Sequence, residues 1–179
     1  MQKVKKVLPF IAAGLALLAV IFLALPAAKY EEWGWTMSAN GFTAIFGGNM
    51  IEMDEGVKES YAYFGFSFIN FLAFLCLIVA AVLEIVATLT KKNVFGFIAS
   101  GLFVVAGILF FCMLRNFAFD KSAEVFYGYT EAEFAVEKNF VLQMAKLGAG
   151  AILPAVCSIL AAIVVLVECF FDKLFKQAN

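Results

Sequence analysis

The chain has 179 residues, 64% of them hydrophobic and only 15% charged, with a formal charge of −1 and a mean hydropathy of +0.96. Soluble domains run near half apolar and a quarter charged, so this composition excludes an ordinary water-soluble globule and requires a second, apolar solvent. Histidine is absent, which removes the commonest general base and the commonest metal ligand.

Met1 to Lys6 carries Lys3, Lys5 and Lys6 and leads into VLPFIAAGLALLAVIFLALPAA. A basic start before an apolar run also fits a secretory signal, but this run is longer than the roughly 7–15 residues of a signal core. It reads as a first membrane span over about residues 7–28, with Pro9 and Pro26 near its two ends. Three lysines ahead of it place the N-terminus in the cytoplasm.

Residues 29–60 form a first outer segment. Trp33 and Trp35 sit where amphipathic aromatics anchor at headgroup level. Asn40-Gly41 lies between WGWTMS and FTAIF, and this pair suits a type I′ hairpin turn whose two central residues need positive φ. Gly47-Gly48-Asn49 ends that hairpin, and an acidic loop of Glu52, Asp54, Glu55 and Glu59 follows, with Lys58 as its basic neighbour.

The second span covers about 64–89 and contains one charge, Glu84. Lys91-Lys92-Asn93 makes a tight turn into the third span, about 94–114, which closes at Arg115-Asn116. In the second outer segment, residues 115–141, Val125–Tyr129 reads as a short strand. Thr130 with Glu133 fits a capping box for a helix starting near Glu131. The fourth span covers about 147–171 and ends at Asp172, Lys173 and Lys176.

Charge tests this topology. The inner segments hold seven lysines against one aspartate; the outer ones hold two basic residues against six acids and three against five. Basic residues collect inside, as the positive-inside rule requires, and both termini are placed in the cytoplasm of a cell-membrane protein. The expected fold is all-α: one membrane domain over residues 1–179, a four-helix transmembrane bundle carrying a small extracytoplasmic β-rich cap.

Four groups of residues are candidates for function. Glu84 and Glu168 each lie inside a span, seven residues before Lys91 and five before Lys173. Their helices run in the same direction, so the two carboxylates share one depth near the inner leaflet. They form either a proton- or cation-binding site or a pair that reaches the interface and meets Lys92 or Lys173. Asn70 is the amide deep in the second span and suits a hydrogen bond to a neighbouring helix, or a pore-lining role. Small residues recur at helical spacing, Gly96 and Ser100 in the third span and Ala151, Ala155, Ser158 and Ala162 in the fourth, where they permit close helix packing. Trp33, Trp35, Glu52, Asp54, Glu55 and Arg115 make a candidate outer interaction surface.

Other chemistries lack their residues. Cys76, Cys112, Cys157 and Cys169 all lie within apolar runs and form no CxxC pair, so they read as packing residues. No nucleotide-binding glycine loop, zinc pattern or EF-hand spacing is present. No catalytic, cofactor or metal site and no nucleic-acid partner is expected.

In layout the chain resembles the claudin-like tetraspan group: four spans with both ends inside, a longer β-rich first outer segment, a shorter second one, and Trp33 just past the first span. The group's Gly-Leu-Trp with two following cysteines is missing here, so no functional residue carries over. The resemblance implies a protein that works by lateral or trans contacts. The expected function is therefore non-enzymatic assembly or adhesion in the bilayer, with itself or with another membrane protein as an accessory subunit. The alternative is a small transporter or channel subunit using the intramembrane carboxylates.

Overall fold

A computed structural model describes residues 2–32, 35–54, 57–119 and 143–176. It is mostly helical, with one antiparallel sheet. In chain order the elements are α1 (Gln2–Phe22), β1 (Pro26–Glu32), β2 (Trp35–Asn40), α2 (Gly41–Phe46), β3 (Gly48–Asp54), β4 (Val57–Gly65), α3 (Phe68–Thr90) and α4 (Asn93–Phe111). A 3-10 turn (Met113–Asn116), β5 (Ala118–Phe119), β6 (Lys146–Leu147) and α5 (Ala149–Lys176) follow.

Three helices are long and apolar enough to cross a membrane: Phe68–Thr90, Asn93–Phe111 and Ala149–Phe171. The apolar part of α1, Val7–Phe22, is shorter. The first span does not reach residue 28 as a helix. The chain turns after Phe22, and Pro26, which has no N–H to continue a helix, opens β1. Phe64 and Gly65 likewise belong to β4 rather than to the second span, and residues 113–114 of the third lie in the 3-10 turn.

The helices close into a ring, α1 against α5 and α3, and α4 against the same two. Their buried faces mix small residues, Ala12, Ala16 and Ala19 on α1, Ala73 and Ala80 on α3, Ala99 and Ala106 on α4, Ala155 and Ala162 on α5, with the larger Leu77, Phe103, Phe110 and Val165. Their outer faces carry the large apolar side chains, with Phe10 75% and Leu89 77% exposed. A soluble bundle would not leave so many large apolar side chains exposed. Such a surface suits a solvent of lipid tails, where close backbone approach replaces hydrophobic expulsion as the packing force. The apolar helices are those of an integral membrane protein.

The α4–α5 contact shows that approach directly. Ser100 Oγ donates to the Ala162 carbonyl at 3.1 Å. Beside it, a Cβ on Gly107 would meet Ile159 Cγ1 at 2.8 Å and the Ala155 carbonyl oxygen at 3.1 Å. At the other side of the ring, α3 and α4 are joined by Lys91-Lys92 alone, with Lys91 in the left-handed region at φ 56°.

The sheet has the order β5-β4-β3-β2-β1-β6. Its edge strands come from beyond α4 and from just before α5, so the sheet draws on both segments that separate the helices. Here two expectations fail. Asn40-Gly41 is not a hairpin turn: β2 and β3 do pair, but α2 connects them. Asn40 has φ −78° and ψ 169°, and its Oδ1 accepts from Thr43 N at 2.8 Å, so it is the N-cap of α2. Asparagine's short amide serves a turn and a helix cap equally well. The acidic residues Glu52 and Asp54 lie on β3 rather than in a loop, with Glu52 opposite Met37 and Glu59 and Asp54 opposite Val57. The proposed strand 125–129 and the Thr130–Glu133 capping box lie outside the described residues.

Gly41 still matters, for a different reason. Its N–H donates to the Leu23 carbonyl at 2.7 Å, and a Cβ there would lie 2.7 Å from Leu23 Cδ2 and 2.9 Å from its carbonyl oxygen. Gly41→Val is expected to separate α2 from the end of α1 and to destabilise the protein by about 1–3 kcal/mol, the range for overpacking. Limited proteolysis of the sheet region checks this; an unchanged cleavage pattern and melting temperature would refute the contact.

Candidate functional site

Two polar groups lie at opposite ends of α3. Asn70 and Glu84 are fourteen residues apart on this helix, about 21 Å at 1.5 Å per residue. The structure therefore does not bring Asn70 to the two carboxylates.

Asn70 is fully buried at the sheet end. Ser67 caps α3, its Oγ accepting from Asn70 N at 3.3 Å and donating to the Asn116 carbonyl. That cap aims the Asn70 amide at the places where other elements end. Its Nδ2 donates to the Ala44 carbonyl of α2 at 2.9 Å, and to the Met113 and Asn116 carbonyls of the 3-10 turn at 3.3 and 3.4 Å. Short helices leave their last carbonyls without internal partners, and one amide supplies donors to both. Phe46 of α2 reinforces the joint, its ring lying edge-on to Phe71 and Phe74 of α3 at 6.0 and 5.8 Å. Through Nδ2, Asn70 ties α2 and the 3-10 turn to α3, while its Oδ1 is buried without a hydrogen-bond partner.

At the end carrying the Lys91-Lys92 turn, Glu84 and Glu168 do come together. Glu84 is only 2% exposed. The Glu168 carboxyl is its neighbour from α5, and the side chain of Lys173 lies outside the description. Glu84 Oε1 and Glu168 Oε2 are buried without a hydrogen-bond partner. Gly96 on α4 packs beside the pair: a Cβ there would stand 2.6 Å from Cys169 Sγ, so the glycine makes room for that thiol, and at an ordinary contact distance of 4.0 Å from Glu84 Oε2. Asn93 and Cys169 bracket the site: Asn93 Nδ2 donates to the Cys169 carbonyl at 3.3 Å, and Cys169 Sγ donates weakly to the Asn93 carbonyl at 3.8 Å. Gly96 stood out in sequence as a packing residue only; Asn93 and Cys169 gave no signal, because their partners are 76 residues away.

The candidate outer surface is only partly placed. Trp35 lies on β2 opposite Glu32, Glu52 and Asp54 lie on β3, and Arg115 is exposed in the 3-10 turn. Trp33 and Glu55 lie outside the described residues. Among the described residues no group of three or more His, Cys, Asp or Glu side chains is arranged to hold a metal ion.

No protein-family model matches the chain, and no curated protein matches it significantly.

Proposed function

We propose that this is a four-span protein of the cell membrane, with both termini cytoplasmic, that acts without catalysis. Its outer sheet and helix faces mediate assembly, either with itself or as an accessory subunit of a membrane complex. The observation that carries this reading is the single sheet contributed by both inter-helix segments and fastened to the helix ends through Asn70, Gly41 and Leu23. A rigid extramembrane platform on a lipid-facing bundle is a device for presenting a surface. In this reading α1 completes the span despite its shorter apolar part, with lysines flanking it, and the sheet lies on the side away from the Lys91-Lys92 turn. A layout resemblance to the claudin-like group is part of the proposal.

Cross-linking in native membranes, mild solubilisation and mass spectrometry test the proposal. The expected product is a homo-oligomer or a defined complex joined through residues 33–60 or 115–140. A protein that stays monomeric in mild detergent and in nanodiscs, and recovers no partner, refutes it.

A further inference from the structure

From the carboxyl pair we infer that Glu84 and Glu168 form a binding site for a single exchangeable proton between α3, α4 and α5, at the bundle end marked by the Lys91-Lys92 turn. Glu84 Oε1 and Glu168 Oε2 are both buried with no hydrogen-bond donor against them, and carboxylates are acceptors alone, so a proton on one of the two supplies the donor that the site lacks. Removing that proton leaves two negative charges in contact in a site from which Glu84 is excluded from water, an arrangement that like-charge repulsion and desolvation both oppose. Binding is balanced simply: one proton from the aqueous phase takes a lone pair on one carboxylate oxygen, and the pair goes from two negative charges to one.

The surroundings support a site that holds the remaining charge without cancelling it. Glu84 Oε2 lies beside Gly96 in the first turn of α4, the helix end whose dipole favours a negative charge. Glu84 Oε1 and Glu168 Oε2 have no partner, so neither carboxyl is neutralised by a fixed cation in the described structure. On α3 the nearest hydroxyl, that of Thr88, donates to the Glu84 backbone carbonyl instead. From α4 come Asn93 and Gly96, neither titratable; from α5 comes the Cys169 thiol, which donates to Asn93. Lys91 and Lys92 in the turn are exposed. Lys3, Lys5 and Lys6 on α1 and Asp172, Lys173 and Lys176 on α5 are the remaining charges on neighbouring elements, and their side chains lie outside the description. Glu84 is six residues from the end of α3, about 9 Å along the axis, a short path for a proton to the adjoining water.

The test is infrared spectroscopy of the purified full-length protein in phosphatidylcholine nanodiscs, titrated with pH in choline chloride. At neutral pH a carboxylic acid C=O band is expected that shifts in deuterium oxide and gives way to carboxylate absorption at higher pH. Glu84→Gln and Glu168→Gln should each abolish that titration, because glutamine reproduces the donor of the protonated state without its exchangeable charge, and for that reason should leave the fold intact. Absence of the band in the unaltered protein overturns the proposal, as does a titration unchanged in both variants. So does loss of the band when sodium replaces choline at fixed pH, which would make a metal cation the occupant. None of these readings depends on whether the protein assembles.

Discussion

Gly150→Ala is expected to unfasten the start of α5 from the end of α1, an unusually large effect for one methyl group. A Cβ at Gly150 would stand 2.7 Å from the Leu25 carbonyl carbon and closer still to its oxygen. A Cβ at Gly148 would press in the same way on the Pro26 carbonyl, one residue before the Ala27 carbonyl that accepts from Gly148 N at 2.7 Å. These obstacles are backbone atoms of a segment fixed on one side by β2 and on the other by β6, so they have little room to yield. The cost should reach about 3 kcal/mol, the upper part of the range for overpacked sites. Gly101→Ala is the control. A Cβ at Gly101 meets nothing within 4 Å, and alanine removes the helix penalty of glycine, so stability should be unchanged or rise by about 0.5–1 kcal/mol. Melting temperatures in mild detergent compare the two. Equal losses in both variants would mean that the junction is not a close contact.

Substitutions at Asn70 form the second test, and their order is the informative part. Asn70→Ala removes the donor shared by the Ala44, Met113 and Asn116 carbonyls; Ser67 still serves Asn116, and the other two are left short. At about 1–3 kcal/mol for each buried group left unsatisfied, a loss of about 2–4 kcal/mol is expected. Asn70→Asp keeps the shape but turns a donor into a negative charge facing three carbonyl oxygens, so it should be worse than alanine. Thermal unfolding and the rate of proteolysis at α2 give the ranking. If aspartate were better tolerated than alanine, the amide would not be donating where the structure puts it.

Much of the helix layout could be read from the chain because the solvent writes it there. Phe68–Thr90, Asn93–Phe111 and Ala149–Phe171 lie within or close to the expected spans, since long apolar runs have few other uses. The end of α1 was not legible. Leu25, Ala27 and Ala28 are apolar, and hydropathy does not distinguish residues facing lipid from Ala27 and Ala28, which are buried in the strand region. Asn40-Gly41 misled for a related reason: its local chemistry admits both a turn and a cap, and the choice was made by Leu23, seventeen residues upstream. The two-residue strands β5 and β6 are pairings without a pattern of their own. At the carboxyl pair, the shared depth of Glu84 and Glu168 could be counted from the lysines. Their meeting could not, because it depends on how α3 and α5 pack across α4, and their positions in the chain are 84 residues apart.

The ring of helices also has a consequence for how the protein is made. Helices α3 and α4, joined by two residues, can pair as soon as both have left the ribosome. Helix α1 packs on α3 and on α5, and the backbone that follows it, at Leu25–Ala27, fits against Gly148 and Gly150 at the start of α5. More than a hundred residues separate those partners in the chain, so the contact that closes the ring forms only after the start of α5 has been made. Until then the buried face of Ala12, Ala16 and Ala19 lacks its partner on α5. A chain arrested before residue 148 would expose that face to the insertion machinery and to quality control, and clearance of such intermediates would set the yield of finished protein.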